Sequence, residues 1–198
     1  MLCLTRPTDP RWAALALADL DTALADHAHC EMKAAASAIS LATRWPASTQ
    51  VARALTAVAA EELDHFREVL ALLEQSGVEL GRPETDAYVA DLRQAAQASA
   101  DKSPHGSLAD RLLVGALIEA RSCERFRLLA DALAARGDAL AAFYEGLFAC
   151  EARHYTTMVD LAISVRGDPE RVRDRLAFLA RAEGDLAARF GVRPTIHG

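Results

Sequence analysis

Glu61-Glu62-Leu63-Asp64-His65-Phe66 and Cys150-Glu151-Ala152-Arg153-His154-Tyr155 each contain a Glu-x-x-His unit. Three residues apart on a helix, a glutamate and a histidine share one face and can reach one point in space. One such unit arises easily by chance. Two of them, each deep inside a long run of helix-forming residues, decide the reading of the whole chain.

Working outward, each unit lies in the second half of a helical hairpin. Before the first unit, Asp9-Pro10 reads as an N-cap followed by proline in the first turn. A helical pattern then runs to about residue 44, and Trp45-Pro46 ends it because proline cannot continue the hydrogen-bond ladder. Ser48 is the cap of a second helix, over about 48–76, and Gly77 ends it. Residues 78–106 hold Gly81, Pro83, Pro104 and Gly106 and form a crossover with a short helix from about Thr85 to Ala100. Long helices follow over about 107–136 and 138–166, divided by Gly137-Asp138. Gly167-Asp168-Pro169 precedes a C-terminal helix over about 169–190, and residues 191–198 read as a loose tail. The expectation is a single all-α domain over 1–198, a four-helix bundle with one long crossover and additional short helices. This is the form of ferritin-like folds.

The turns pair the acids. Glu31 and Glu62 are 31 residues apart, with their midpoint at Pro46-Ala47. Glu119 and Glu151 are 32 apart, with their midpoint beside Gly137. Residues equidistant from a turn stand level in antiparallel helices, so each hairpin presents one Glu plus one Glu-x-x-His. Apolar neighbours at helical spacing, among them Leu24 and Ala38, Leu55 and Val69, Leu112 and Phe126, and Leu147 and Met158, turn these acids inward. Four carboxylates in an apolar core repel and are poorly solvated. Two divalent ions cancel the charge, and neutral histidines complete the donor set. Glu31, Glu62, His65, Glu119, Glu151 and His154 are therefore the candidate ligands of two iron ions, and similar donor sets accept manganese.

Other residues read more plainly. His27, one turn before Glu31 on the same face, reads as a hydrogen-bonded core histidine, with support of a metal ligand as the alternative. Glu61, Glu68, Glu74 and Glu124 belong to solvated faces. Cys30 and Cys150 are each one residue from a ligand, so they point away from it, and with Cys123 they are packing groups. Cys3, Cys30, Cys123 and Cys150 form no CxxC pair, which argues against a zinc knuckle or a redox motif and suits a reduced cytoplasmic protein. No window is long and charge-free enough to cross a bilayer, and the first residues lack a signal-peptide core.

The runs Asp26-His27-Ala28-His29-Cys30-Glu31-Met32-Lys33-Ala34-Ala35, Ile118-Glu119-Ala120-Arg121-Ser122-Cys123-Glu124-Arg125-Phe126 and Cys150-Glu151-Ala152-Arg153-His154-Tyr155 resemble the tRNA hydroxylases of the MiaE type. The resemblance runs from the first helix through the fourth. It implies an O2-dependent di-iron monooxygenase that hydroxylates the isopentenyl side chain of 2-methylthio-isopentenyl-adenosine in tRNA, fed by an external electron donor. It also implies that Glu31 and His65 hold one iron, Glu119 and His154 the other, and that Glu62 and Glu151 bridge.

A net charge of -6 excludes a globally basic nucleic-acid binder, so tRNA must meet a local patch. The last helix and tail carry Arg171, Arg173, Arg175, Arg181, Arg189 and Arg193, with Glu170, Asp174, Glu183 and Asp185 between them. That mixture reads as an ordinary solvated face, and Arg44 and Arg82 offer other contacts. The alternatives are another ferritin-like di-iron protein (ferroxidase, peroxidase or oxidase) that does not act on tRNA, and a metal-free helical interaction module. Iron storage would need assembly into a shell, whereas a monomer or dimer suits the hydroxylase.

Overall fold

Capping residues and glycines set the element boundaries. The computed structural model describes residues 2–45, 48–83, 86–100, 102–190 and 192–197. Among the described residues there are seven helices and no strand: α1 (Trp12–Ala18), α2 (Leu20–Arg44), α3 (Thr49–Ser76), α4 (Ala87–Ala98), α5 (Pro104–Ala134), α6 (Leu140–Arg166) and α7 (Pro169–Phe190). None of these helices is long and apolar enough to cross a membrane.

Side chains cap the helix starts by accepting backbone N–H groups that have no partner within the helix. Ser48 accepts from Val51 at 3.2 Å, Asp86 from Val89 at 2.9 Å and Ser103 from Gly106 at 3.1 Å. Gly77 and Gly167 end α3 and α6 with φ of 69° at both, a left-handed conformation that a Cβ disfavours.

The structure departs from the sequence expectation in several places. The first long helix is two: Asp19 interrupts it and accepts from Thr22 N at 3.3 Å, so α2 starts afresh at Leu20. Helix α5 starts at Pro104 rather than Ser107, because Ser103 caps it and proline suits a first turn that needs no N–H. Helix α2 ends at Arg44, as expected, while Pro46 and the short-helix start expected at Thr85 lie outside the described residues.

The chain forms two compact units. One comprises Ala16–Thr85 and Pro194–Ile196, the other Met1–Leu15, Asp86–Arg193 and His197–Gly198. The first unit is the α2–α3 hairpin. Its apolar stripe includes Leu24, Ala35, Ala38, Leu55, Val58 and Val69, all buried. Ile196 is fully buried, and its backbone N–H donates to Asp26 Oδ2 at 2.6 Å.

The second unit packs α5 against α6, with α4 and α7 alongside. A charged network is sealed within it. Arg121, 1% exposed, donates from Nε and Nη2 to Glu183 at 2.9 Å each and from Nη1 to Glu124 at 2.6 Å. It also donates to Thr8 Oγ1 and to the Arg6 carbonyl, both at 3.0 Å. The Tyr88 hydroxyl donates to Glu183 at 2.8 Å. Burial, with the charge of Glu183, holds the Tyr88 hydroxyl well above its ordinary range. Arg125, over the Trp12 ring at 5.2 Å, is pulled down to about 10 by burial and by Arg121 and still carries its charge at neutral pH.

Two further expectations change here. Glu124 is buried and accepts from Arg121 and Thr8, so it is not a solvated surface acid. The tail is not loose over its described residues: His197 is buried, its Nε2 lies 2.8 Å from Ser122 Oγ, and its ring stacks on Tyr88.

Candidate metal centre

Each unit brings together three of the six predicted ligands. In the α2–α3 hairpin, Glu31, Glu62 and His65 offer donor atoms within 4.8 Å of one another. His65 Nδ1 is 3.4 Å from Glu62 Oε2 and 3.6 Å from Glu31 Oε2. Glu31 is 4% exposed and Glu62 1%, while the His65 side chain is 13% exposed. Antiparallel packing has made the acids level, as the turn spacing predicts.

In the α5–α6 hairpin, Glu119, Glu151 and His154 likewise converge within 4.8 Å, and His154 Nδ1 is 3.6 Å from Glu151 Oε2. All three are buried. The two units thus contain the same set, one Glu facing a Glu-x-x-His. A buried pair of carboxylates beside one imidazole carries an electrostatic cost that a divalent cation removes. Oxygen and imidazole donors suit iron and manganese. The chemistry of each donor set therefore fits a metal of that kind.

The neighbours of these residues refine the picture. His27 is fully buried and its Nε2 stands 2.7 Å from Glu31 Oε1. With Glu31 ionised, the histidine supplies the proton of that bond and fixes the carboxylate's second oxygen. The reading of His27 as a hydrogen-bonded core histidine is right about the bond, and the partner is a ligand candidate. Cys150 does not point away from the site: its Sγ is 3.6 Å from His154 Nε2, and Arg153 Nη2 donates to it at 3.2 Å. Sequence reasoning compared Cys150 with Glu151 next door and overlooked His154 four positions on, one turn along the same face. Burial pushes the Cys123 thiol up to about 12, and the Glu151 carboxylate adds to the shift. Cys123 is therefore a neutral thiol, which donates to the Phe148 carbonyl at 3.5 Å.

Comparison with known proteins adds an independent line. The family model described as tRNA-(MS[2]IO[6]A)-hydroxylase (MiaE) matches residues 1–198. The chain belongs to the MiaE family. A family relative from Pseudomonas putida (strain KT2440), named tRNA 2-(methylsulfanyl)-N(6)-isopentenyladenosine(37) hydroxylase, is 38% identical over 180 residues, covering 91% of this chain and 84% of that one. A protein of the same name from Salmonella typhimurium (strain LT2) is 32% identical over 126 residues, covering 64% of this chain and 43% of that one. A solved structure, Protein 43 with aldehyde deformylating oxygenase activity from Synechococcus, aligns with a TM-score of 0.88 at 35% identity and covers 100% of this chain and 96% of that chain. The fold class is accordingly all-α and ferritin-like, the class of four-helix bundles with a long crossover. The chain is an enzyme of the MiaE hydroxylase family.

Proposed function

We propose that this chain hydroxylates the isopentenyl side chain of 2-methylthio-isopentenyl-adenosine in tRNA. The observation that carries the reading is the matched pair of triplets, Glu31 with Glu62 and His65, and Glu119 with Glu151 and His154, all buried but the partly exposed His65, in a chain matched over its whole length by the MiaE family model.

On this reading the chain is one ferritin-like domain whose two triplets would hold two iron ions. Glu31, Glu62 and His65 would be the iron donors of one unit, and Glu119, Glu151 and His154 those of the other. The bound irons supply the reduction of O2 and the insertion of one oxygen atom, with electrons from an external donor. The protein's own groups set the conditions. The four glutamates are each 6% exposed or less, so their surroundings keep bulk water from them. His27 holds Glu31 in one orientation. Cys150 Sγ stands 3.6 Å from His154 Nε2, beside a ligand candidate. The prenylated base must leave its stack to reach the irons, as bases in RNA loops do.

The test is direct. Iron-loaded protein is incubated with O2, a reductant and tRNA carrying the prenylated base, and the nucleosides are analysed by mass. The reading predicts a gain of one oxygen on that nucleoside, and an unchanged mass refutes it. We also propose that the protein works in the cytoplasm as a monomer or dimer, which light scattering separates from the shell a storage protein needs.

A further inference from the structure

His154 turns its two ring nitrogens to different neighbours on α6, all within one unit. Nδ1 faces Glu151 Oε2 at 3.6 Å, and Nε2 faces Cys150 Sγ at 3.6 Å. The helix itself sets this up. Cys150 stands one turn before His154 and Glu151 three residues before it, so the three share a side of α6. The position is sealed, with Cys150 5% exposed and His154 2%.

A neutral imidazole carries one N–H, and the nitrogen that carries it has no lone pair to give to a metal. The contact with sulfur can be made in two ways. If the thiol donates, the ring hydrogen sits on Nδ1 and closes the nitrogen that faces Glu151. If Nε2 donates, Nδ1 is open toward the carboxylates. The surroundings of the sulfur favour the second arrangement. Arg153 Nη2 donates to Sγ at 3.2 Å, and its Nη1 donates to the Ala149 carbonyl at 3.2 Å. A guanidinium has only donors, so the sulfur already serves as an acceptor, and a second lone pair is there for Nε2–H. A buried N–H also needs an acceptor.

An imidazole that binds a metal gives its other N–H to a neighbour that sets the ring's orientation and the place of its hydrogen. Carboxylates and carbonyls are the common neighbours, and here the atom in that place is a sulfur. The corresponding residue of the other Glu-x-x-His sequence is Glu61, so the thiol is particular to the α5–α6 triplet.

We propose that Cys150 is a positioning residue for the metal centre: its sulfur accepts the Nε2–H of His154 and keeps Nδ1 turned to the ion. The inference rests on His154 being an iron ligand, as proposed above, and is tested separately from it. Iron(II) affinity is measured by competition with a chelator for the wild type, Cys150→Ala and Cys150→Ser. Alanine and serine are nearly equal in size, so any cavity is common to both and the variants differ in the acceptor. A serine hydroxyl can give its hydrogen to a carbonyl one turn back and still accept from Nε2. Cys150→Ala is expected to hold one of its irons about 10-fold more weakly, and Cys150→Ser to stay within about 3-fold of the wild type. The ring N–H of His154 gives a second readout in protein loaded with zinc, a diamagnetic ion that takes the same donors. Its proton resonance should lie downfield in the wild type and Cys150→Ser and move upfield in Cys150→Ala. Unchanged affinity or an unmoved resonance in Cys150→Ala overturns the proposal. An equal loss in Cys150→Ala and Cys150→Ser does so too, since it would mark packing alone. Should His154→Ala keep both irons, the ligand assignment itself fails and this inference falls with it. Should His154→Ala lose iron while Cys150→Ala does not, only the role of the sulfur is refuted.

Discussion

At the residue scale, the Glu-x-x-His units were legible because helical spacing alone places a glutamate and a histidine on one face. The pairing of Glu31 with Glu62 and of Glu119 with Glu151 was legible from the turn positions. We predict that Glu119→Ala and His154→Ala each lose iron and hydroxylation together while remaining folded, because each removes a buried donor whose charge or dipole was costly without metal. Iron content and circular dichroism are the measurements, and two irons with full activity in either variant would refute the assignment. Cys123 makes a separate prediction. Its thiol is held up at about 12 against an ordinary value of 9.0, first by burial. A raised value means a stabilising contribution that is complete below pH 9 and fades as pH climbs toward 12. The stability difference between the wild type and Cys123→Ala should therefore shift against the wild type above pH 9, as read from denaturant midpoints. Cys150 and Glu124 were misread in sequence for a shared reason: their neighbours in space come from one turn along the helix or from a distant segment, and inspection of the next residue in the chain shows neither.

At the element scale, helix ends follow local chemistry and were mostly readable. Ser48, Gly77, Gly167 and Pro169 fall where caps and breakers predict. The interruption at Asp19 was not readable, since the alanine- and leucine-rich run on both sides of it favours unbroken helix. Two substitutions test the elements. Gly167→Ala places a Cβ on a residue with φ of 69° and should cost about 1 kcal/mol in urea unfolding. Gly184→Ala, in the interior of α7, puts a methyl group 2.5 Å from Thr5 Oγ1, which donates to the Ala180 carbonyl. Alanine favours helix on propensity, yet the clash must displace the N-terminal segment, so a net loss of roughly 1–3 kcal/mol is expected. If Gly184→Ala is instead more stable than the wild type, that segment yields at no cost.

At the scale of the whole molecule, composition indicated an all-helical chain, and the alternation of long helices with breakers indicated two hairpins and a crossover. The docking of the tail was hidden, because Ile196 and His197 are too short a stretch to show periodicity. The charged network of Arg121 was equally hidden, since its partners Thr8, Glu124 and Glu183 come from three separate segments. Arg121→Met should destabilise the molecule by about 3–5 kcal/mol by leaving Glu183 and Glu124 buried without their cation, as thermal or urea unfolding would show. In that network two guanidinium groups, Arg121 and Arg125, stand with two carboxylates, Glu124 and Glu183, all sealed from solvent. All five N–H donors of Arg121 are engaged, so no smaller or less branched cation can take its place. The four positions are thus bound to a common fate: across evolutionary time a chain of this lineage can keep the quartet intact or exchange it wholesale for apolar side chains, and intermediates carrying only part of it should be rare.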